Sequence, residues 1–284
     1  MLIDCHAHLL PPDRLRKLLR WTYRFSPRHP VAETVTVEAL LDEYAAAGVD
    51  RIWNFAHAIR AEETEPLNRW NRDLARREPR IVPFGTCHPE TEDPRAVIDW
   101  CLDGEGFPGM KFHPFVQRFV PWDPRFLPVW ERIARHRGIV VFHTGFEAFY
   151  GGPLPLSGFG SILETFPELT CVFAHAGYPR VREAFEMVGR YPNLYLDTVH
   201  AFGRVTAEWD GARQAEVWAA LRAGLAAFPD RVMFGTDHPS GTGTLTGMYE
   251  ELRAFGLPAG VERAMLGDTA ARLLASRQQA RGAA

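Results

Sequence analysis

His6 and His8 flank Ala7 in the opening segment MLIDCHAHLL. Side chains of an extended strand alternate with a period of two, so both imidazoles share one face, as two ligands of a single ion must. The pair alone decides little: with 11 His in 284 residues, chance places about 0.4 His-x-His triplets in a chain. Three further apolar runs, however, also end in a polar residue. GIVVFHTG carries His143, LTCVFAHAG carries His175 and VMFGTDHP carries Asp237. A lone His in such a place is more often a satisfied rim residue, whereas four such run ends in one chain point to a common site. Imidazole and carboxylate together suit zinc, manganese or iron.

Other residues are weaker candidates. In GMKFHP, Lys111 and His113 take one face and Met110 and Phe112 the other, so Lys111 and His113 are candidates to contact an anionic substrate. An ordinary ion pair inside the protein is the alternative for Lys111. Alternation through Cys171, Phe173 and His175 turns the last imidazole to an inward tip. Asp4 is expected on the same inward face as His6, either supporting a ligand or bonding a neighbouring strand. His238 should point away from Asp237, and Asp197 is a candidate to line the mouth. His29, His57, His88, His136 and His200 fit no ligand pattern. Arg60, Arg118, Arg180 and Arg204 are rim candidates for clamping a carboxylate.

These residues need elements that bring run ends together. Eight short apolar runs can be counted: Leu2–His8, Arg51–Phe55, Ile81–Thr86, Gly109–His113, Ile139–His143, Thr170–His175, Asn193–Asp197 and Arg231–Asp237. Between them lie helical patterns at Val37–Gly48, Thr64–Arg77, Pro94–Leu102, Arg125–His136, Arg180–Arg190 and Gln214–Phe228, and Pro258–Ser276 reads as a closing helix. Alternating β and α units predict an α/β fold with parallel strands. A doubly wound open sheet alternates in the same way, but no GxGxxG follows the first run. A (β/α)8 TIM barrel is favoured because it gathers strand C-termini, where all the chemistry falls, into one mouth. Three connections are long, Leu9–Thr36, Pro114–Asp123 and Thr198–Arg213. The first, with Trp21, Tyr23 and Phe25, is expected to wall or cover the site.

Composition fits a globular chain of one domain: 46% hydrophobic and 24% charged residues, with a net charge of −3. Without a basic stripe, nucleic acid and anionic membrane are not expected partners, and a cytoplasmic location is expected. Cys5, Cys87, Cys101 and Cys171 form no CxxC pair and read as reduced, buried thiols.

The ordered set IDCHAH, GMKFHP, VVFHTG, FAHAGYP, MFGTDHP and ERAMLGDTAARLL resembles the amidohydrolase superfamily along nearly the whole chain. The likeness is to the amidohydrolase-related branch that includes aminocarboxymuconate-semialdehyde decarboxylase-like enzymes. The resemblance implies that His6, His8, His143 and Asp237 hold one divalent ion, zinc before manganese or iron, with His175 and Asp237 in acid–base roles. A second ion, bridged by a carboxylated Lys111 and helped by His143 and His175, is the alternative the superfamily allows. Two reactions use such a centre. Hydrolysis of an amide, ester or lactone of a small carboxylate-bearing substrate is expected first, since a zinc-bound water ionises near pH 7. Nonoxidative decarboxylation of an aromatic or unsaturated acid is the second reading, and a non-catalytic ligand-binding barrel the third. A homo-oligomer is compatible with each.

Overall fold

The computed structural model describes residues 1–146, 150–152, 154–202, 204–241 and 243–282, and only the backbone of 204–212 and 281. Its strands are β1 (Ile3–Ala7), β2 (Arg51–Asn54), β3 (Ile81–Pro83), β4 (Gly85–Thr86), β5 (Gly109–Phe112), β6 (Ile139–Phe142), β7 (Thr170–Phe173), β8 (Leu194–Asp197) and β9 (Val232–Met233). All pair in parallel, in one ladder β1-β2-β3 and another running in order from β4 to β9. They fall on the eight expected runs. The run Ile81–Thr86 is split at Phe84 into β3 and β4. Pro83 has no N–H to give a ladder, but the Phe84 N–H reaches the Asn54 carbonyl at 3.1 Å and keeps the run joined to β2.

The remaining seam lies between β9 and β1, and single backbone bonds cross it. Cys5 N–H donates to the Phe234 carbonyl at 3.0 Å, Asp237 N–H to that of His6 at 2.8 Å, and His8 N–H to that of His238 at 2.8 Å. With this seam laced, the parallel strands form a (β/α)8 TIM barrel. Its interior is packed by Ile3, Cys5, Trp53, Phe55, Val141 and Val172 among others, while Met110, Phe112, Phe142 and Phe173 pack outward against helices.

Four helices, Val37–Ala46, Thr64–Arg77, Leu127–Arg135 and Val181–Arg190, match expectation to within two residues at each end. Pro94–Asp99 passes into a π turn at Trp100–Gly104, and the helix expected at Gln214–Phe228 begins earlier and runs Arg204–Ala227. In the closing helix Thr269–Gly282, Ala270 and Leu273 join the barrel's inner cluster and plug one end. The connection Leu9–Thr36 contains a helix that the sequence reading did not assign, α1 (Pro12–Phe25). Leu15, Leu19 and Thr22 recur at helical spacing and are buried, and Pro12 starts the helix where no N–H is needed. Cys5, Cys87, Cys101 and Cys171 are all free and buried.

Candidate metal centre

β1 carries a bulge. Asp4 pairs with Ile52 but Ala7 with Asn54, so one extra residue is accommodated between them. A bulge resets which side chains face which way. Asp4 therefore does not share a face with His6 as the plain alternation predicts. It faces the Val37–Ala46 helix, accepting from Tyr44 Oη at 3.0 Å, and ties the barrel seam by accepting from the Thr236 N–H at 3.0 Å. His6 turns inward, its ring centroid 4.8 Å from that of Phe55, and His8 follows on the same side. Asn54 fixes the exit from the strand, accepting from Leu9 N–H at 2.7 Å and donating to the Leu9 carbonyl at 3.2 Å.

Both histidines have their outer nitrogen engaged. His8 Nδ1 lies 2.9 Å from the Phe55 carbonyl, an acceptor, and so carries the hydrogen. His6 Nδ1 lies 2.9 Å from Asp197 Oδ2. The inner Nε2 atoms converge on Asp237 Oδ1, at 2.9 Å from His8 and 3.7 Å from His6. Burial, reinforced by Lys111, drives the His6 pKa well below its ordinary value, so this imidazole is neutral with its Nε2 lone pair free. Burial alone would raise the Asp237 pKa, but its contacts with His200 and His8 outweigh it and hold the carboxyl well below the usual range. Lone pairs and a carboxylate facing one another call for a cation between them, so His6, His8 and Asp237 form a group that could hold a metal ion.

Around this group the chain departs from ordinary backbone. His175, His200 and Asp237 all adopt left-handed conformations, with φ of 61°, 62° and 59°. Such residues are strained and concentrate at functional sites. For His175 the turn corrects the expected geometry. Cys171 and Phe173 face outward, so alternation would send the imidazole away from the mouth. Instead β7 ends at Phe173, the His175 N–H is caught by Asp197 Oδ1 at 2.8 Å, and the left-handed turn swings the ring inward. His175 Nε2 lies 3.1 Å from His143 Nδ1, while His175 Nδ1 and His143 Nε2 are buried without hydrogen-bond partners among the described residues. Asp197 thus orients two imidazoles from beneath.

His200, which fits no sequence pattern, is within reach of the site. Its Nε2 lies 3.2 Å from Asp237 Oδ2, and with His175 and Asp237 it forms a second group whose ligand atoms cluster. His143 belongs to neither group but faces the same cavity, stacked on His113 at 3.7 Å and 11°. The remaining histidines divide. His57 lines the cavity, whereas His29, His88 and His136 bond Pro239, Glu90 and Asp99 elsewhere, and His238 lies against Tyr44 and Glu43.

The family model for amidohydrolases matches residues 3–275. The chain belongs to the amidohydrolase family. No curated protein matches the sequence. Solved structures share the fold over almost their whole length. An uncharacterised TIM-barrel protein from Bordetella bronchiseptica is 23% identical with a TM-score of 0.76, covering 98% of this chain and 99% of that one. A putative 2-pyrone-4,6-dicarboxylic acid hydrolase from Pseudomonas putida is 19% identical, with a TM-score of 0.70 and coverage of 96% and 97%. A dihydroxybenzoic acid decarboxylase from a Polaromonas species, holding manganese and an inhibitor, is 15% identical, with a TM-score of 0.71 and coverage of 96% of each chain.

The amidohydrolase site opens into a cavity of about 370 Å³. Lys111 lies buried in it with no partner for Nζ, 5.0 Å from the centroid of the Phe55 ring, so the ordinary ion pair considered from the sequence is not formed among the described residues. Burial, only partly offset by Asp197 and Asp237, pulls its pKa down to about 8. Leu18, Trp21 and Phe25 of α1 form one wall, while Tyr23 turns away to the Val31 carbonyl. Opposite them stands Tyr150, stacked on Phe115 at 4.9 Å and on Trp21 at 6.2 Å, both at 12°. Among the described residues Arg60, Arg118 and Arg180 do not line this cavity, and the side chain of Arg204 lies outside them. No helix among the described residues is long and apolar enough to cross a membrane.

Proposed function

We propose that this amidohydrolase binds one divalent ion through His6, His8, His143 and Asp237 and hydrolyses an amide, ester or lactone bond in a small carboxylate-bearing substrate. The convergence of two Nε2 atoms on one carboxylate oxygen carries this reading. Zinc suits the donor set, and manganese, present in the decarboxylase relative, suits it as well. One ion is favoured over two because Asp237 is the sole acid among the described lining residues, and a second dication would need the further negative charge of a carboxylated Lys111. When bound, the ion polarises a substrate carbonyl and acidifies a water molecule.

The chain's own groups supply the rest. Lys111, buried and without a partner among the described residues, attracts the substrate carboxylate, and His113 is held flat against His143 beside it. His175, neutral because burial and then His6 depress its pKa, accepts the proton of the attacking water and returns it to the leaving group. The aromatic wall keeps water out and matches a flat substrate.

That wall also favours a second reading, nonoxidative decarboxylation of an aromatic acid, in which His175 first takes up a proton and then delivers it to the carbon that loses carbon dioxide. Metal analysis of the purified protein, followed by assay of a panel of aromatic and unsaturated esters, lactones and acids for hydrolysis and for carbon dioxide release, separates the two. His6→Ala should lose its metal. Stoichiometric metal in that variant would sink the ligand assignment.

A further inference from the structure

The cavity's cations are Lys111, on the strand β5, and Arg14 and Lys17, both on α1. Arg14 is the third residue of that helix, where a cation meets the helix's own positive end, so helix stability does not explain it. Its donors are mostly uncommitted. Nη2 donates to the His57 carbonyl at 3.2 Å, Nη1 makes a loose ion pair with Glu63 Oε1 at 3.8 Å, beyond hydrogen-bond range, and Nε is buried with no acceptor among the described residues. Glu63 is occupied elsewhere, accepting from the Ile59 N–H at 2.8 Å and from Arg60 Nη2 at 3.4 Å. Lys17 takes part in no ion pair among the described residues. A guanidinium with spare donors in a cavity wall is built for a carboxylate, which it can grip with two parallel bonds.

The surface between these charges is apolar. Leu18 and Trp21 follow Arg14 on the cavity side of α1 at helical spacing, and Trp21 stacks on Tyr150 across the opening. We infer that the cavity takes a two-ended acid, with a flat apolar middle and a second carboxylate seated on Arg14, Lys17 adding attraction. Arg14 and Lys17 are then the specificity-determining residues, separate from the groups that carry the reaction. The inference rests on the proposed metal centre for the other end of the substrate.

The test uses manganese-loaded protein and calorimetric titration with benzoate, isophthalate and terephthalate at fixed ionic strength. At least one dicarboxylate should bind about tenfold tighter than benzoate, a difference of about 1.4 kcal/mol. In Arg14→Met, which keeps the apolar stem, that ratio should fall to about one. Arg14→Lys should keep part of it, and Lys17→Met, at an exposed position, should lower it modestly without any folding defect. Equal affinities for all three acids in wild type, or an undiminished ratio in Arg14→Met, overturn the subsite while leaving the metal centre intact. Failure of the wild-type protein to retain stoichiometric manganese overturns the metal centre and the inference with it, and is read independently by metal analysis.

Discussion

At the scale of single residues, the proposed centre depends on what lies behind its candidate ligands. Asp197 and the Phe55 carbonyl fix the outer nitrogens of His6 and His8, and His200 holds the free oxygen of Asp237. Removing such a supporting partner typically weakens metal affinity by about 10- to 100-fold. His200→Ala should do so in a chelator competition, and His200→Gln, which keeps an N–H donor, should recover most of the loss. Equal affinity in wild type and His200→Ala would make the contact incidental. His175 should behave differently. His175→Asn should retain one metal ion per chain and lose about 10²- to 10⁴-fold in turnover, the range for a positioned acid–base group. Near-normal turnover with full metal would leave His175 a structural rim residue.

At the scale of elements, the strands deliver their side chains by departing from regularity. The β1 bulge sends Asp4 to the seam and His6 to the cavity, and the left-handed turn after β7 rescues a histidine that alternation would misdirect. The closing strand must also approach β1 closely. A Cβ on Gly235 would stand 2.6 Å from His6 Cβ and 3.0 Å from His6 N, so only glycine fits there. Gly235→Ala should therefore cost about 1–3 kcal/mol in urea unfolding and weaken metal binding by displacing His6. Gly260, in the helix Ala259–Arg263 with nothing within 4 Å of its absent Cβ, is the control. Gly260→Ala should be neutral or stabilising. Equal midpoints for the two variants would remove the role given to Gly235.

At the scale of the whole molecule, the proposed centre would also be a clasp. Of the proposed ligands, His6 comes from the first strand and His8 from just beyond it, His143 from the middle of the chain and Asp237 from just beyond the last strand, and the β1–β9 seam is otherwise crossed by single backbone bonds and by Asp4. An ion bound to the folded state alone stabilises it by mass action. At a free concentration of about 100 times Kd the gain is about 2.7 kcal/mol, or roughly 5 °C in Tm for a chain of this size. Chelation of loaded protein should lower Tm by that amount, and restoring manganese or zinc should reverse it. Verified loading and removal with no change in Tm would show that the ion is not held by the folded cluster.

Much of this was legible in the sequence because it is local. A run of apolar residues ending in His or Asp fixes a strand and what stands at its tip, so the barrel, its eight runs and the residues His6, His8, Lys111, His113, His143, His175 and Asp237 could all be placed along the chain. Alternation assigned the faces of β5 correctly, since that strand is regular. It failed for Asp4 and for the path of His175, where a bulge and a left-handed turn intervene, both set by pairing with distant segments. His200, Asp197 and Arg14 were decided only by tertiary structure. His200 lies in a connection whose pattern carries no period, Arg14 lies on a helix whose spacing sets a face but not what that face meets, and Asp197 gains its role because barrel closure sets it under His6, 191 residues away in sequence. Periodicity is a property of one segment, whereas the company a side chain keeps follows from which segments the closed barrel brings together.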